Sequence, residues 1–284
     1  MLDFRYHALS LVAVFLALGI GIVLGSSLGD TVVSQANRDI ANSLRGDLSR
    51  AKRDAAAAHA AVGQRERVLE AVFPRIADTK LAGRSVAIVS SGPLADGVQS
   101  NARDAVRAAG GRLATIAQLQ SPPDIAQLGK AVGPRFDGLR SDDPRLRPLG
   151  RRIGAALVAG GRLARRLEKR FPDRFGGQPV AADAVVLYRD PAAERSAAVK
   201  QIEQGLIEGL RGPGKPVVGV ETFETDPSQI SFYSNQGLSS VDNVDSAGGR
   251  IALVLALTGA RGNFGYKKTA DAPLPPAPKG AQGG

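Results

Sequence analysis

Ser85-Val-Ala-Ile-Val-Ser-Ser91 is the stretch that decides the fold. It is short, almost continuously apolar and rich in β-branched residues, as in a strand buried on both faces. Downstream, Asp96 to Ala109 reads as a helix that ends at Gly110-Gly111, with Val98, Ala102, Ala105 and Val106 turned inward. Arg112-Leu-Ala-Thr-Ile-Ala117 then reads as a second strand. The three segments have the length of a β-α-β unit.

The pattern resumes further on. Ala184-Val-Val-Leu-Tyr-Arg189 and Pro216-Val-Val-Gly-Val-Glu221 read as strands, and Ser240 to Val244 as a short fifth. Pro191 to Leu210 reads as a helix with Asp190 as its cap, and Ser246 to Thr258 as another that packs Ile251, Leu253, Val254 and Leu257. Alternating strands and helices imply a mostly parallel sheet with helices on both faces, a three-layer α/β domain over residues 80–266. From Asp271 the Pro-, Ala- and Gly-rich chain is expected to be extended or disordered, and the disordered tail is taken as 267–284.

Between the two halves of the pattern lie a Pro- and Arg-rich stretch, Ser121 to Pro148, and a basic segment. The net charge is +10, and Lys130 to Arg174 holds thirteen Lys or Arg against five Asp or Glu. Residues 149–174 read as one amphipathic helix. Ile153, Leu157, Ala164, Leu167 and Phe171 lie on one side, and Arg151, Arg152, Arg162, Arg165, Arg166, Lys169 and Arg170 on the rest. Such a face suits an anionic lipid surface or wall polymer, or the phosphates of a nucleic acid. It also suits a domain helix with a solvated arginine side. Nucleic acid drops out as a partner if the domain is exported.

Upstream, residues 31–73 read as a helical stalk. Ile40, Leu44, Leu48, Ala51, Ala55, Ala58, Val62 and Leu69 recur three or four apart, and Pro74 is expected to end the helix. The stripe is narrow, with a mean period nearer 3.67 than 3.5. It suits a helix pair or a weak coiled coil with little or right-handed supercoil, or a helix packed back on its own domain. Before it, Tyr6 to Gly29 contains no Lys, Arg, Asp or Glu. As a helix it would be about 36 Å long, enough to cross a hydrocarbon core of about 30 Å. Residues 1–30 therefore read as a transmembrane anchor, longer than a signal core requires, although Gly25, Ser26 and Ser27 are small enough for a cleavage site. Gly21, Gly25 and Gly29 share one face and would let two such helices approach closely in lipid. Homo-oligomerisation through the span and stalk is the expectation. Arg5 and the amino terminus stay inside in the simplest topology, with the domain outside.

Composition narrows the chemistry. Cysteine is absent, methionine occurs only at Met1, and histidine only at His7 and His59, both outside the α/β segment. A thiolate site, a cysteine nucleophile and a Ser-His-Asp triad within the domain are excluded. There is no Gly-x-Ser-x-Gly, Gly-x4-Gly-Lys-Ser/Thr or His-Glu-x-x-His. No catalytic residue and no cofactor is expected. The crevice beyond the carboxyl ends of the strands is the place to look for a site. There Glu221, Glu224, Asp242 and Asp245 can converge on a hard cation or act as an acid/base pair.

Asp3-Phe4-Arg5-Tyr6-His7, with Ser10-Leu-Val-Ala-Val-Phe-Leu-Ala-Leu-Gly-Ile-Gly21 after it, resembles the start of the actinobacterial MctB family. The resemblance returns in Gly237-Leu-Ser-Ser-Val-Asp-Asn-Val-Asp245, Gly249-Arg250, Gly265-Tyr266, Ala270-Asp271 and Pro273-Leu-Pro275. It implies an envelope protein of copper homeostasis, described as an outer-membrane channel. Soft copper favours Cys and Met, which this chain lacks beyond Met1. An outer-membrane channel normally needs a closed barrel, for which the chain shows no repeat. Three functional classes follow: a non-enzymatic, oligomeric envelope component of copper transport; an envelope scaffold that binds a partner through stalk and domain; and an α/β enzyme using the acidic crevice.

Overall fold

The computed structural model describes residues 4–276 apart from 96, 172 and 213, and the side chains of 4, 5 and 26–39 are outside that description. The chain divides into two compact units, Met1–Gln64 and Arg65–Gly284. One helix, α1 (Phe4–Ala77), contributes to both.

In the first unit, Tyr6–Gly25 is apolar enough to cross a membrane, with a mean hydropathy of 2.6, and none of it is buried against the protein. Nothing lies within 4 Å of a Cβ placed on Gly21 or Gly25. Gly29, the third member of that face, lies outside the described side chains. Leu44, Leu48 and Val62 are exposed along the stalk.

Pro74 does not end the helix, contrary to expectation. It sits inside α1, near the end, where the missing N–H removes a single ladder bond. Its carbonyl still accepts from the Asp78 amide at 2.9 Å. Burial of Phe73, Ala77 and Leu81 holds this end of the helix on the second unit.

The second unit is built on seven strands: β1 (Ser85–Ser91), β2 (Arg112–Leu119), β3 (Phe175–Gly177), β4 (Ala184–Arg189), β5 (Val217–Val220), β6 (Ser239–Val241) and β7 (Asn263–Phe264). Their spatial order is β3-β2-β1-β4-β5-β6-β7, parallel throughout except for β3 at one edge. Along β4, Val185 and Leu187 enter one core, while Ala184, Val186 and Tyr188 enter the other. Strict alternation between two cores is the signature of a sheet covered on both faces. The expected three-layer α/β domain is present.

Helices α2 (Val98–Ala108) and α8 (Ala247–Leu257) cover one face together with the end of α1. The other face carries α3 (Ile125–Val132), α4 (Leu146–Ala159), α5 (Gly161–Arg170) and α6 (Ala197–Arg211), while the short α7 (Ile230–Asn235) packs Tyr233 over Gly219.

Three elements differ from expectation. The basic segment is two helices, because Gly160 and Gly161 adopt φ of 67° and 83°, outside the right-handed helical region. The helix expected from Pro191 starts at Ala197 under a Ser196 cap, while Asp190 closes a turn by accepting from the Ala192 amide. The start expected at Asp96 lies outside the described residues, and α2 is seen from Val98. Within the expected tail, residues 271–274 are held on the domain. Asp271 accepts from the Asn263 amide at 2.8 Å, Phe264 bridges to Ala272, and Leu274 packs on the α2–α8 core.

Helices α4 and α6 meet at backbone distance. A Cβ on Gly150 would lie 2.2 Å from the Ile202 carbonyl oxygen, and one on Gly154 2.3 Å from that of Leu206. Reciprocally, Gly205 and Gly209 leave no room against the Arg147 and Arg151 carbonyls, at 1.9 and 2.2 Å. Two small-xxx-small pairs therefore interlock inside the domain.

Candidate functional site at the carboxyl ends of the strands

In an open parallel sheet the ligand crevice lies beyond the carboxyl ends of the strands, at the point where strand order reverses. Here that point falls between β1 and β4, with β5 and β6 alongside. Glu221 follows β5 and Asp242 follows β6, and both are fully buried. They meet the same residue, Lys267. The Lys267 ammonium donates to Glu221 Oε1 at 2.7 Å and to the carbonyls of Thr225 and Thr222 at 2.8 and 3.2 Å. Its backbone amide donates to Asp242 Oδ2 at 2.8 Å, and the Tyr266 amide to Oδ1 at 3.0 Å. Gly265 makes this approach possible, since a Cβ there would fall 1.7 Å from Asp242 Oδ1.

Glu221 also accepts from Ser228 Oγ at 2.8 Å and the Gln229 amide at 2.5 Å. Asp245 accepts from the Phe223 amide at 3.0 Å, and Glu224 is exposed. Of the four carboxylates expected to converge, Glu221 alone meets the Lys267 ammonium, together with the Thr222 and Thr225 carbonyls, while Asp242 is engaged by backbone amides. Among the described residues, no group of three or more His, Cys, Asp or Glu is arranged to hold a metal ion.

Gln229 carries the network across to β4. Its side-chain oxygen accepts from Arg189, and Arg189 lies over the Phe232 ring at 4.1 Å. Glu203 of α6 is buried between Arg189 at 3.4 Å and Arg195 at 3.0 Å, and accepts from Ser91 Oγ at 2.6 Å. Burial lowers the Arg195 guanidinium below its ordinary value, with Glu203 opposing it. Desolvation also raises the phenols of Tyr188 and Tyr233, and the Tyr233 hydroxyl donates to the Val220 carbonyl while accepting from the Arg189 amide. One polar chain therefore runs Asp242–Lys267–Glu221–Gln229–Arg189–Glu203–Ser91. Its carboxylates are matched by internal cations and amides, an arrangement that ties four strand ends together.

Arg189, Glu203, Gln229 and Lys267 were not singled out in the sequence. Arg189 was visible as a charge closing an apolar strand. Glu203 and Gln229 gave no local signal, and Lys267 sat in a segment read as tail.

A family model for the copper transport outer membrane protein MctB matches residues 1–132 and 173–275. The chain belongs to the MctB family. No individual curated protein matches it. The two matched stretches take in α1 and every strand of the sheet, while the unmatched interval 133–172 holds α4 and α5. MctB membership makes this a copper-transport-related envelope protein with a membrane-associated helix.

As cargo, copper meets an unsuitable donor set in the domain, where cysteine, histidine and methionine are all absent. His7 and His59 lie exposed on α1. The buried Glu and Asp oxygens are hard donors and are engaged by Lys267 and backbone amides. The described strands form one open sheet with β3 and β7 at its edges, so a closed barrel is not part of this fold.

Proposed function

We propose that this chain is a single-pass, non-enzymatic envelope component of copper transport that works as an oligomer. The α/β domain is held outside the cytoplasm, and copper is not bound in a dedicated site within it. The observation that supports this most is the reach of the family match, which covers anchor, stalk and sheet together. The donor chemistry favours an indirect part in copper handling, since Cys and domain His are missing. Any pore requires several copies, because one apolar helix cannot enclose a path. Gly21 and Gly25, and Gly29 beyond them, offer the close-approach face for that association. Deleting the gene and measuring cellular copper tests this reading. Copper should rise while zinc, iron and manganese hold steady, and complementation should reverse it. A reporter fused after Lys268 should read as exported.

A second reading, an envelope scaffold, is favoured by the basic face. Arg151, Arg152, Arg162, Arg165, Arg166, Lys169 and Arg170 are all exposed on α4 and α5. An open pocket of about 700 Å³ takes in Arg151 and Arg152, and a smaller one of about 200 Å³ takes in Arg170 and Arg174. This surface suits an anionic lipid or wall polymer. Replacing Arg162, Arg165 and Arg166 with Gln should weaken retention on anionic vesicles or wall polymer in a salt-sensitive way. Unchanged retention would remove this reading.

A further inference from the structure

Between Leu44 and Val62 the apolar steps of α1 run four, three, four, three, four, through Leu48, Ala51, Ala55 and Ala58. This is the alternation of a heptad seam. Leu48, Ala55 and Val62 take a positions, and Leu44, Ala51 and Ala58 take d positions. Leu44 is 63% exposed, Leu48 57% and Val62 62%, so the seam is uncovered within one copy. It stops at Arg65, the next d position, where the second compact unit begins.

The flanking charges are sorted by sign. Asp47 and Asp54 fall at g, Arg45 and Lys52 at e, and the imidazole of His59 at the e that follows. In a parallel, in-register pair each g residue faces the e residue of the partner's next heptad. Asp47 then meets the partner's Lys52, and Asp54 meets the partner's His59. An antiparallel pair would set g against g and e against e, acid facing acid and base facing base. The charges select one orientation. The apolar span Tyr6–Gly25 on the same helix requires that orientation independently, since two copies anchored in one membrane enter it by the same end.

We infer that residues 44–62 form a parallel, in-register, two-stranded coiled coil with a second copy of this chain. The inference deepens the oligomeric part of the proposed function and rests on membrane anchoring. Alanine at Ala51, Ala55 and Ala58 allows close approach but buries little, so the seam is weak between free molecules. Confinement of both copies to one membrane, with their helices already aligned, favours pairing over that in free solution. Among the described residues of one copy Asp47 pairs with Arg50, at 3.6 Å and with both side chains well exposed. Such an exposed pair is weak, and Asp47 exchanges readily to the partner's Lys52.

The chain contains no cysteine, so single cysteines report cleanly. Full-length protein carrying Ala51→Cys, at d, or Ala60→Cys, at f, is treated in its membrane with a short bismaleimide. Ala51→Cys should give a cross-linked dimer and Ala60→Cys should not. Adding Lys52→Asp to Ala51→Cys should lower the yield several-fold, and adding Asp47→Lys as well should restore it. Equal cross-linking at Ala51 and Ala60 overturns the inference, as does failure of the double charge swap to restore the dimer. Copper is measured in the same strains. Normal copper control without Ala51 cross-linking sinks the coiled coil and leaves the proposed function. A cross-linked dimer in a strain whose copper ignores deletion of the gene does the reverse.

Discussion

Lys267→Met isolates the ion pair at the centre of the polar chain. Glu221 is fully buried and the Lys267 side chain is 17% exposed, so solvent cannot replace the missing ammonium. Removing one partner of a buried pair costs about 3–5 kcal/mol, because the other charge stays behind. Ser228 Oγ and the Gln229 amide still serve the Glu221 carboxylate, and the methionine stem fills the lysine channel. The expected loss is therefore at the lower end, about 3 kcal/mol. For a domain of this size that lowers Tm by about 6–12 °C. The double variant Lys267→Met with Glu221→Gln removes both charges and should return to within about 1 kcal/mol of the parent. Near-UV circular dichroism on the full chain in detergent follows the change, since Tyr188, Tyr233 and Tyr266 all lie in the domain. Additive losses in the double variant, or an unchanged Tm in the single one, would refute the pairing.

Gly205→Ala gains about 1 kcal/mol of helix propensity but forces its Cβ to within 1.9 Å of the Arg147 carbonyl. The clash is with backbone, so a net loss of about 2 kcal/mol is expected in urea unfolding. Gly63→Ala, with nothing within 4 Å, should instead stabilise the stalk by about 1 kcal/mol. Arg250→Ala removes the contacts to Glu70, Asn101 and Phe73 that hold the end of α1. Amide exchange over residues 65–77 should then rise at least tenfold, while the strands stay protected. Burial raises the Tyr188 and Tyr233 phenols above their ordinary value of about 10, so the folded state favours their protonated forms. That stabilisation is complete below pH 10 and falls as pH rises beyond it, which stability measurements and phenolate absorbance can follow together.

Much of the sheet was legible because buried parallel strands leave a plain trace. Ser85–Ser91 and Ala184–Arg189 are apolar on both faces, and the structure places both strands at those residues. Glycine was the harder reading. Gly160-Gly161 looked compatible with one basic helix, yet positive φ at both divides it. Gly21, Gly25 and Gly29 drew notice because a membrane span gives small residues an obvious purpose. The interlocked glycines, Gly150 with Gly154 and Gly205 with Gly209, lie on helices far apart in sequence, and no local pattern links them. The acidic residues of the crevice were visible, but their cation was not. Lys267 reaches Glu221 only because Asn263–Phe264 adds a strand beside β6 and brings the following turn over the strand ends. A Pro- and Ala-rich composition hides that long-range pairing.

We propose that this MctB-family chain acts in copper transport through an anchored assembly rather than a copper site in its domain. Elemental analysis of a deletion strain grown in graded copper tests it most directly, with complementation by the parent and by a His7→Ala, His59→Arg double variant, which removes both imidazoles and keeps a base opposite the partner's Asp54. The account predicts that copper rises several-fold on deletion, that other metals do not follow, and that the His-free variant complements fully. Unchanged copper in the deletion strain, or failure of the stably expressed His-free variant, would contradict it.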